Sequence, residues 1–215
     1  MPTPVLIADD HPLFRAAMKQ AVAGVVGEAI YESSTLSETL DTLAANPDVE
    51  LLFLDLNMPG ATGLNGLGEL LNRYPDVLTV VVSAQDEPAL IRRVMDIGAC
   101  GFIPKSTPLE DITHAVGKIM QGENWLPAHV QVSADTSDTD SVEQTQFAQN
   151  LAQLTPHQYT VLKMLAAGLL NKQIAYELSI SESTVKQHVS AVLRKLQVVN
   201  RTQAGVLFNQ LVAEH

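Results

Sequence analysis

Between Pro4 and about Gln121 short apolar runs alternate five times with segments of helical period, and nothing else in the chain limits the fold as strongly. Val5 to Ala8 precedes a helical pattern over 12–24, Glu28 to Glu32 precedes 37–45, and Leu51 to Leu54 precedes 64–73. Val77 to Val82 then leads into 87–97, and Gly101 to Ile103 into 108–121. Five strand and helix pairs in series predict an α/β fold, a parallel sheet with helices on both faces. Leu51-Leu52-Phe53-Leu54 and Leu78 to Val82 are apolar without alternation, as strands covered on both sides should be, so they are expected innermost.

Four polar sites stand directly after these runs: Asp9-Asp10, Asp55, Ser83 and Lys105. In a parallel sheet the carboxyl ends of the strands share one rim, where small ligands bind. Taken singly, each has a plain explanation. Asp9-Asp10-His11-Pro12 reads as a helix start, and Asp55 ahead of Met58-Pro59-Gly60 as a turn. Taken together they describe a phosphate and metal site. A carboxylate such as Asp55 can accept a phosphoryl group as an acyl phosphate. Clustered acids would repel that group unless a hard divalent cation intervened, and Mg2+ prefers such oxygen ligands. Asp9, Asp10 and Asp55 supply the oxygens, Lys105 a point charge for the phosphoryl oxygens, and Ser83 a hydroxyl donor.

No apolar run approaches the 18 or so residues of a membrane helix, and the N-terminus lacks the pattern of a signal peptide, so a cytoplasmic protein with no membrane partner is expected. Cys100 is the only cysteine, which excludes an internal disulfide and a thiolate zinc cage. The net charge of −11 is unevenly spread. Lys and Arg number 7 against 16 Asp and Glu in residues 1–120, none against 5 in 121–147, and 6 against 3 in 148–215. Only the last part can favour a polyanion.

After Trp125-Leu126-Pro127 the composition turns to Ser, Thr, Asp and Gln, and Ser133 to Gln146 has too few apolar residues to offset its ordering entropy. The expected division is a first domain over 1–122, a linker over 123–150 and a second domain over 151–215. The second opens with Thr155-Pro156-His157-Gln158, a capping box that starts a helix to about Ala167. Gly168 ends it, Asn171 is expected to cap a helix through Leu178, Ser181 caps another from Glu182 to Leu196, and Thr202 to Ala213 forms the last.

The middle pair reads as a helix-turn-helix whose second member enters the major groove. Val185, Val189, Val192, Leu193 and Leu196 recur at helical spacing and should face the core, leaving Lys186, Gln187 and Ser190 outward for base edges. Lys172, Gln173, Thr184, His188, Arg194 and Lys195 are assigned to phosphates. The plain alternative is a helical bundle with a solvated face.

On these residues the chain resembles a bacterial two-component response regulator of the NarL/LuxR type. Residues 4–121 are similar to its receiver domain and 151–212 to its DNA-binding domain. The resemblance implies a flavodoxin/CheY-like sheet of order 2-1-3-4-5, with Mg2+ held by Asp9, Asp10, Asp55 and the main-chain carbonyl of Asn57. It makes Asp55 the phosphoacceptor, Ser83 the switch hydroxyl, Phe102 the switch aromatic and Lys105 the phosphoryl-contacting lysine. It also implies a cognate histidine kinase, promoter DNA and RNA polymerase as partners, and a homodimer when phosphorylated. Ser106 stands where such receivers usually have proline, so the bond after Lys105 is expected trans. His157-Gln158 replaces the Arg-Glu pair common after Thr-Pro, and Val199 stands where a basic residue is common.

The expected function is therefore a phosphorylation-controlled transcription regulator without turnover activity of its own. Two alternatives stand beside it. One is a DNA-binding regulator that uses its receiver only as a dimerisation platform. The other is a phosphohydrolase, which would want a second acid two residues after Asp55, where Asn57 stands.

Overall fold

The computed structural model of the chain describes residues 3–61, 63–121, 123–127, 130 and 146–213, which fall into two compact units divided near Val130. The bulk of the expected linker, 131–145, lies outside the described residues.

The first unit runs β1 (Val5–Ala8), α1 (Pro12–Val26), β2 (Ile30–Ser33), α2 (Leu36–Ala45), β3 (Leu51–Asp55), α3 (Leu64–Arg73), β4 (Leu78–Ser83), α4 (Pro88–Ile97), β5 (Gly101–Pro104) and α5 (Leu109–Ile119). All pairings are parallel, in the order β2-β1-β3-β4-β5. β3 is central, and every residue of β3 and β4 is buried, as their unbroken apolar runs required. Side chains alternate between faces. Leu6, Leu52, Leu54, Val81 and Phe102 pack with Leu43, Leu67, Leu70, Ile91 and Val94 of α2, α3 and α4. The alternate strand residues Val5, Ile7, Phe53, Val80 and Val82 are equally buried, and α1 and α5 are joined where Thr113 Oγ1 donates to the Ala21 carbonyl at 2.9 Å.

The register sets the rim. Ala8 pairs with Leu54, Asp55 with Val82, and Ser83 with Pro104, so Asp9, Asp55, Ser83 and Lys105 emerge at the ends of adjacent strands. Lys105 N–H donates to the Ser83 carbonyl at 2.8 Å, extending the last pairing by one residue. No described peptide bond is cis, so the bond after Lys105 is trans.

The second unit contains α6 (residues 146–151), α7 (Pro156–Ala166), α8 (Asn171–Leu178), α9 (Glu182–Leu196) and α10 (Arg201–Ala213). Thr155 and Gln158 form the expected capping box, and Ser181 Oγ accepts from Thr184 N–H at 3.1 Å at the start of α9. At the end of α8 the Ser179 N–H donates to Tyr176 and the Ile180 N–H to Ala175, with Ser179 left-handed at φ 54, which closes the turn of the motif. The N-cap of α8 is Leu170 and not Asn171, which is buried inside the first turn. A cap is supplied from the third position instead, where Gln173 Oε1 accepts the Leu170 N–H at 2.7 Å.

The linker assigned to 123–150 is shorter than its composition implied. At one end Trp125 pairs beside β5: its N–H donates to Cys100 at 3.2 Å and its carbonyl accepts from Phe102 at 2.9 Å. A side chain at Gly101 would stand 3.2 Å from the Trp125 carbonyl, so glycine admits this edge. At the other end Phe147 is 1% exposed among Val161, Val189 and Phe208, and Asn150 Nδ2 donates to the Leu196 carbonyl at 3.3 Å. One aromatic ring and one amide that satisfies a helix-end carbonyl tie α6 into the core despite its polar neighbours.

Candidate functional site

The rim brings the sequence-assigned residues together. Asp9 and Asp55 are each 1% exposed, Asp10 is partly exposed, and one ligand atom from each of Asp9, Asp10, His11 and Asp55 lies within 4.8 Å of the others. The chain turns sharply after β1 because Asp9 Oδ1 accepts the His11 N–H at 2.8 Å, and Pro12 starts α1 where no N–H is needed. Asp55 Oδ1 accepts the Asn57 N–H at 3.1 Å, which holds the other acidic turn. Asn57 itself is exposed.

Lys105 reaches back over the acids. Its Nζ is 2.7 Å from Asp55 Oδ2 and 2.8 Å from Asp9 Oδ2, with the Phe14 ring centroid 5.1 Å away. Burial, the largest influence, works against its ammonium, but hydrogen bonds and charge from Asp55 and Asp9 outweigh it and hold Lys105 above the ordinary lysine range. One ammonium against three carboxylates leaves the rim acidic. Asp9 Oδ2 and Asp10 Oδ1 are buried, and their only described neighbours of opposite or donor character are the Lys105 ammonium and the His11 ring. Hard, buried and underprovided oxygens fit a divalent cation of the Mg2+, Ca2+ or Mn2+ kind.

Ser83 is fully buried, and its Oγ accepts the Gln85 N–H at 3.1 Å. Phe102, the expected switch aromatic, is also fully buried and packed in the core. Sequence reasoning missed three neighbours, His11, Phe14 and Arg15. His11 Nδ1 is 2.6 Å from Asp10 Oδ1 and 3.5 Å from Lys105 Nζ, and Arg15 Nη1 donates to the Asp9 carbonyl. Only adjacency to the acidic pair signalled His11; the other two needed the helix in place.

In the second unit Val185, Val189, Val192, Leu193 and Leu196 are all buried, as expected, and Gln187, Ser190 and Arg194 are exposed along the opposite face of α9. Lys186, Lys172, Thr184 and His188 are half-buried. Thr184 Oγ1 is 2.7 Å from Ser181 Oγ within the cap, and the His188 ring stacks on His157 with centroids 6.3 Å apart. One assignment needs correction. Lys195 does not present a free ammonium to a phosphate, because its Nζ donates to the Gln153 carbonyl at 2.9 Å and to Gln158 Oε1 at 2.8 Å. Gln173 is exposed; its amide oxygen accepts the α8 cap bond, so any phosphate contact would come from its amide N–H donors. Both residues hold the scaffold that aims α9. Among the described residues no helix is long and apolar enough to cross a membrane.

Comparison with known proteins covers both units. Residues 5–117 match the model of the response regulator receiver domain, and residues 152–208 match that of the bacterial regulatory proteins of the luxR family. The chain is 43% identical over 203 residues to a glycerol metabolism activator of Pseudomonas putida, covering 93% of this chain and 92% of that one. It is 32% identical over 217 residues to the nitrate/nitrite response regulator protein NarL of Escherichia coli, covering 97% and 96%. A solved complex of the two-component response regulator RcsB with DNA shares its fold at TM-score 0.55 and 22% identity, over 97% of this chain and 98% of that one. A receiver with its acidic rim intact and a LuxR-type helix-turn-helix, matched in that order along the whole chain, place this protein in the NarL/LuxR family of DNA-binding two-component response regulators.

Proposed function

We propose that this regulator is switched by phosphorylation of Asp55 from a partner histidine kinase. The observation that carries the reading is the position of Asp55: 1% exposed, at the end of the central strand, with Lys105 Nζ 2.7 Å from one oxygen and the Asn57 N–H on the other. An Asp55 oxygen attacks the phosphorus of the phosphoimidazole, an O–P bond forms, and the P–N bond breaks with its electron pair returning to the imidazole, which takes a proton from water. Asp9, Asp10 and Asp55, with the Asn57 carbonyl, would hold Mg2+, which when bound offsets the charge of the carboxylates and of the phosphoryl group.

The other residues position and read the product. Lys105, now shared between Asp9 and Asp55, transfers its donors to the phosphoryl oxygens. Ser83 already accepts from Gln85 and retains its own hydroxyl hydrogen to donate to the same oxygens. Because the Phe102 ring is inside beforehand, the change is carried by Ser83 and its loop rather than by burial of the ring. Asn57 stands exposed where a hydrolase of this kind would want a second acid, which supports a stoichiometric acceptor over a turnover nucleophile.

The output is binding of promoter DNA in the cytoplasm as a dimer, with Lys186, Gln187 and Ser190 toward base edges and half-sites one helical turn apart, about 34 Å, or a multiple of that. Arg194 and His188 face the backbone, and RNA polymerase is the downstream partner. The relationship to a glycerol metabolism activator makes genes of glycerol use the first promoters to try. Moving the inactive to active ratio from 1:99 to 99:1 requires the phosphoryl group to favour the active state by about 5.5 kcal/mol.

The test is incubation of the full chain with Mg2+ and a small phosphodonor, followed by intact mass. An acid-resistant, base-labile adduct absent from Asp55→Asn is expected. Continuous phosphate release would point to a hydrolase, and no adduct would leave the receiver as a bare dimerisation platform.

A further inference from the structure

We infer that Arg15, assisted by Glu32, is the positioning residue of the cation site, acting on the Asp9-Asp10 turn from behind. The inference rests on the metal reading of the rim given above and adds to it the groups that hold the turn.

β1 ends at Ala8, and the chain must leave the sheet there while placing two consecutive carboxylates on one rim. The Asp9 N–H still pairs, donating to the Ser33 carbonyl at 3.1 Å on β2. Its carbonyl turns to Arg15, one turn into α1, whose Nη1 donates to it. That guanidinium is itself fixed. Its Nε lies 3.4 Å from Glu32 Oε2, and Lys19 Nζ holds the other Glu32 oxygen at 2.8 Å. Lys19, through its hydrogen bond, and then Arg15 keep the Glu32 carboxyl below the ordinary range, so it stays charged as a partner. Arg15 is only 17% exposed.

The arrangement has the parts a cation site needs in its outer layer. A flexible acidic turn would spread its carboxylates apart to relieve repulsion, and gathering them for an ion would then cost affinity. Arg15 grips the main chain of the very residue whose Oδ1 closes the turn and whose Oδ2 faces Lys105. It thereby fixes the acids in place without occupying any of their carboxylate oxygens. Arginine suits this task because its planar fork can serve a carbonyl and a carboxylate at once, which a lysine ammonium on a flexible stem does less well. Glu32, on the neighbouring strand β2, sets the fork and so acts through Arg15 alone. Groups of this outer kind typically change metal affinity by about 10- to 100-fold when removed.

The experiment is calorimetric titration of the full chain with Mg2+ or Mn2+ alone, without phosphodonor or DNA, for wild type, Arg15→Met, Glu32→Gln and the double variant. Arg15→Met should weaken cation binding about tenfold or more, Glu32→Gln less, and the double variant no further than Arg15→Met, since the second change acts through the first. Arg15→Lys, which keeps the charge and loses the fork, should recover only part of the loss and serves as the informative variant if Arg15→Met unfolds. Cation affinity unchanged in both Arg15→Met and Arg15→Lys, or losses from the two sites that simply multiply, would overturn the inference. Wild-type protein that takes up no cation, or Asp10→Asn that binds as well as wild type, would remove the metal reading itself. The two failures are thus distinct.

Discussion

Replacing Lys105 with methionine removes the one ammonium that stands between two buried carboxylates. Asp9 and Asp55 are each 1% exposed, and Lys105 Nζ touches them at 2.8 and 2.7 Å. Breaking a fully buried pair costs about 3–5 kcal/mol, and an exposed one at most about 1. Lys105 keeps 15% of its surface in solvent and exposed His11 opens the rim to water, so the loss should fall between, at about 2–3 kcal/mol of receiver stability. Urea unfolding in chelator measures it. Millimolar Mg2+ should then restore more stability to Lys105→Met than it adds to wild type, since a bound cation stabilises by mass action and here replaces the missing charge. The folded ammonium lies above its ordinary value of 10.5, so its contribution is complete at neutral pH and disappears only as pH rises through the folded value. The difference between wild type and variant should accordingly be flat from pH 7 to 9 and shrink above roughly 10.5. A variant as stable as wild type in chelator, or one that Mg2+ helps no more than wild type, would refute the electrostatic picture of the rim.

Five further variants have expected outcomes. Phe147→Ala should cost the second unit about 3–5 kcal/mol and lower its calorimetric transition while leaving the receiver transition in place; a loss below about 1 would mean that α6 is not part of that core. Gln187→Ala should relax the choice of base at one position by about 1–3 kcal/mol. In contrast, Arg194→Ala should weaken all sequences alike and reduce the salt slope by about 0.9, and Lys195→Ala should act through thermal stability instead; competition binding at several salt concentrations separates the three. Glu32, held below the ordinary carboxylate value of 4.5 chiefly by Lys19, contributes stability that is present above that value and is lost as pH falls through the folded one. Glu32→Gln should therefore be less stable than wild type at neutral pH, by under about 1 kcal/mol for so exposed a group, with the gap closing on acid titration.

Much of this was legible in the residues because it depends on local pattern. The unbroken apolar runs of β3 and β4 located the sheet centre, and the polar residue after each run located the rim, since parallel strands put those ends together. The strand order was not legible from periodicity, which carries no information on neighbours; resemblance supplied it. Arg15 and Phe14 were invisible for a related reason, because their roles depend on how α1 lies over the rim and not on spacing. Lys195 misled because helical phase puts it toward solvent, while its long stem reaches the start of α7. Phe147 and Trp125 were lost in a stretch read by composition, where a single large ring contributes little to the average yet decides burial.

The central claim is that the chemical state of Asp55 governs how tightly α9 engages DNA. Its most direct test compares the affinity of the full chain for a fragment selected from the host genome, at fixed salt, before and after phosphodonor treatment in Mg2+, with Asp55→Asn alongside. Phosphodonor should tighten wild-type binding at least tenfold and leave Asp55→Asn unmoved. Equal affinity in both states, with the adduct on Asp55 verified by mass, would contradict the coupling of rim to recognition helix.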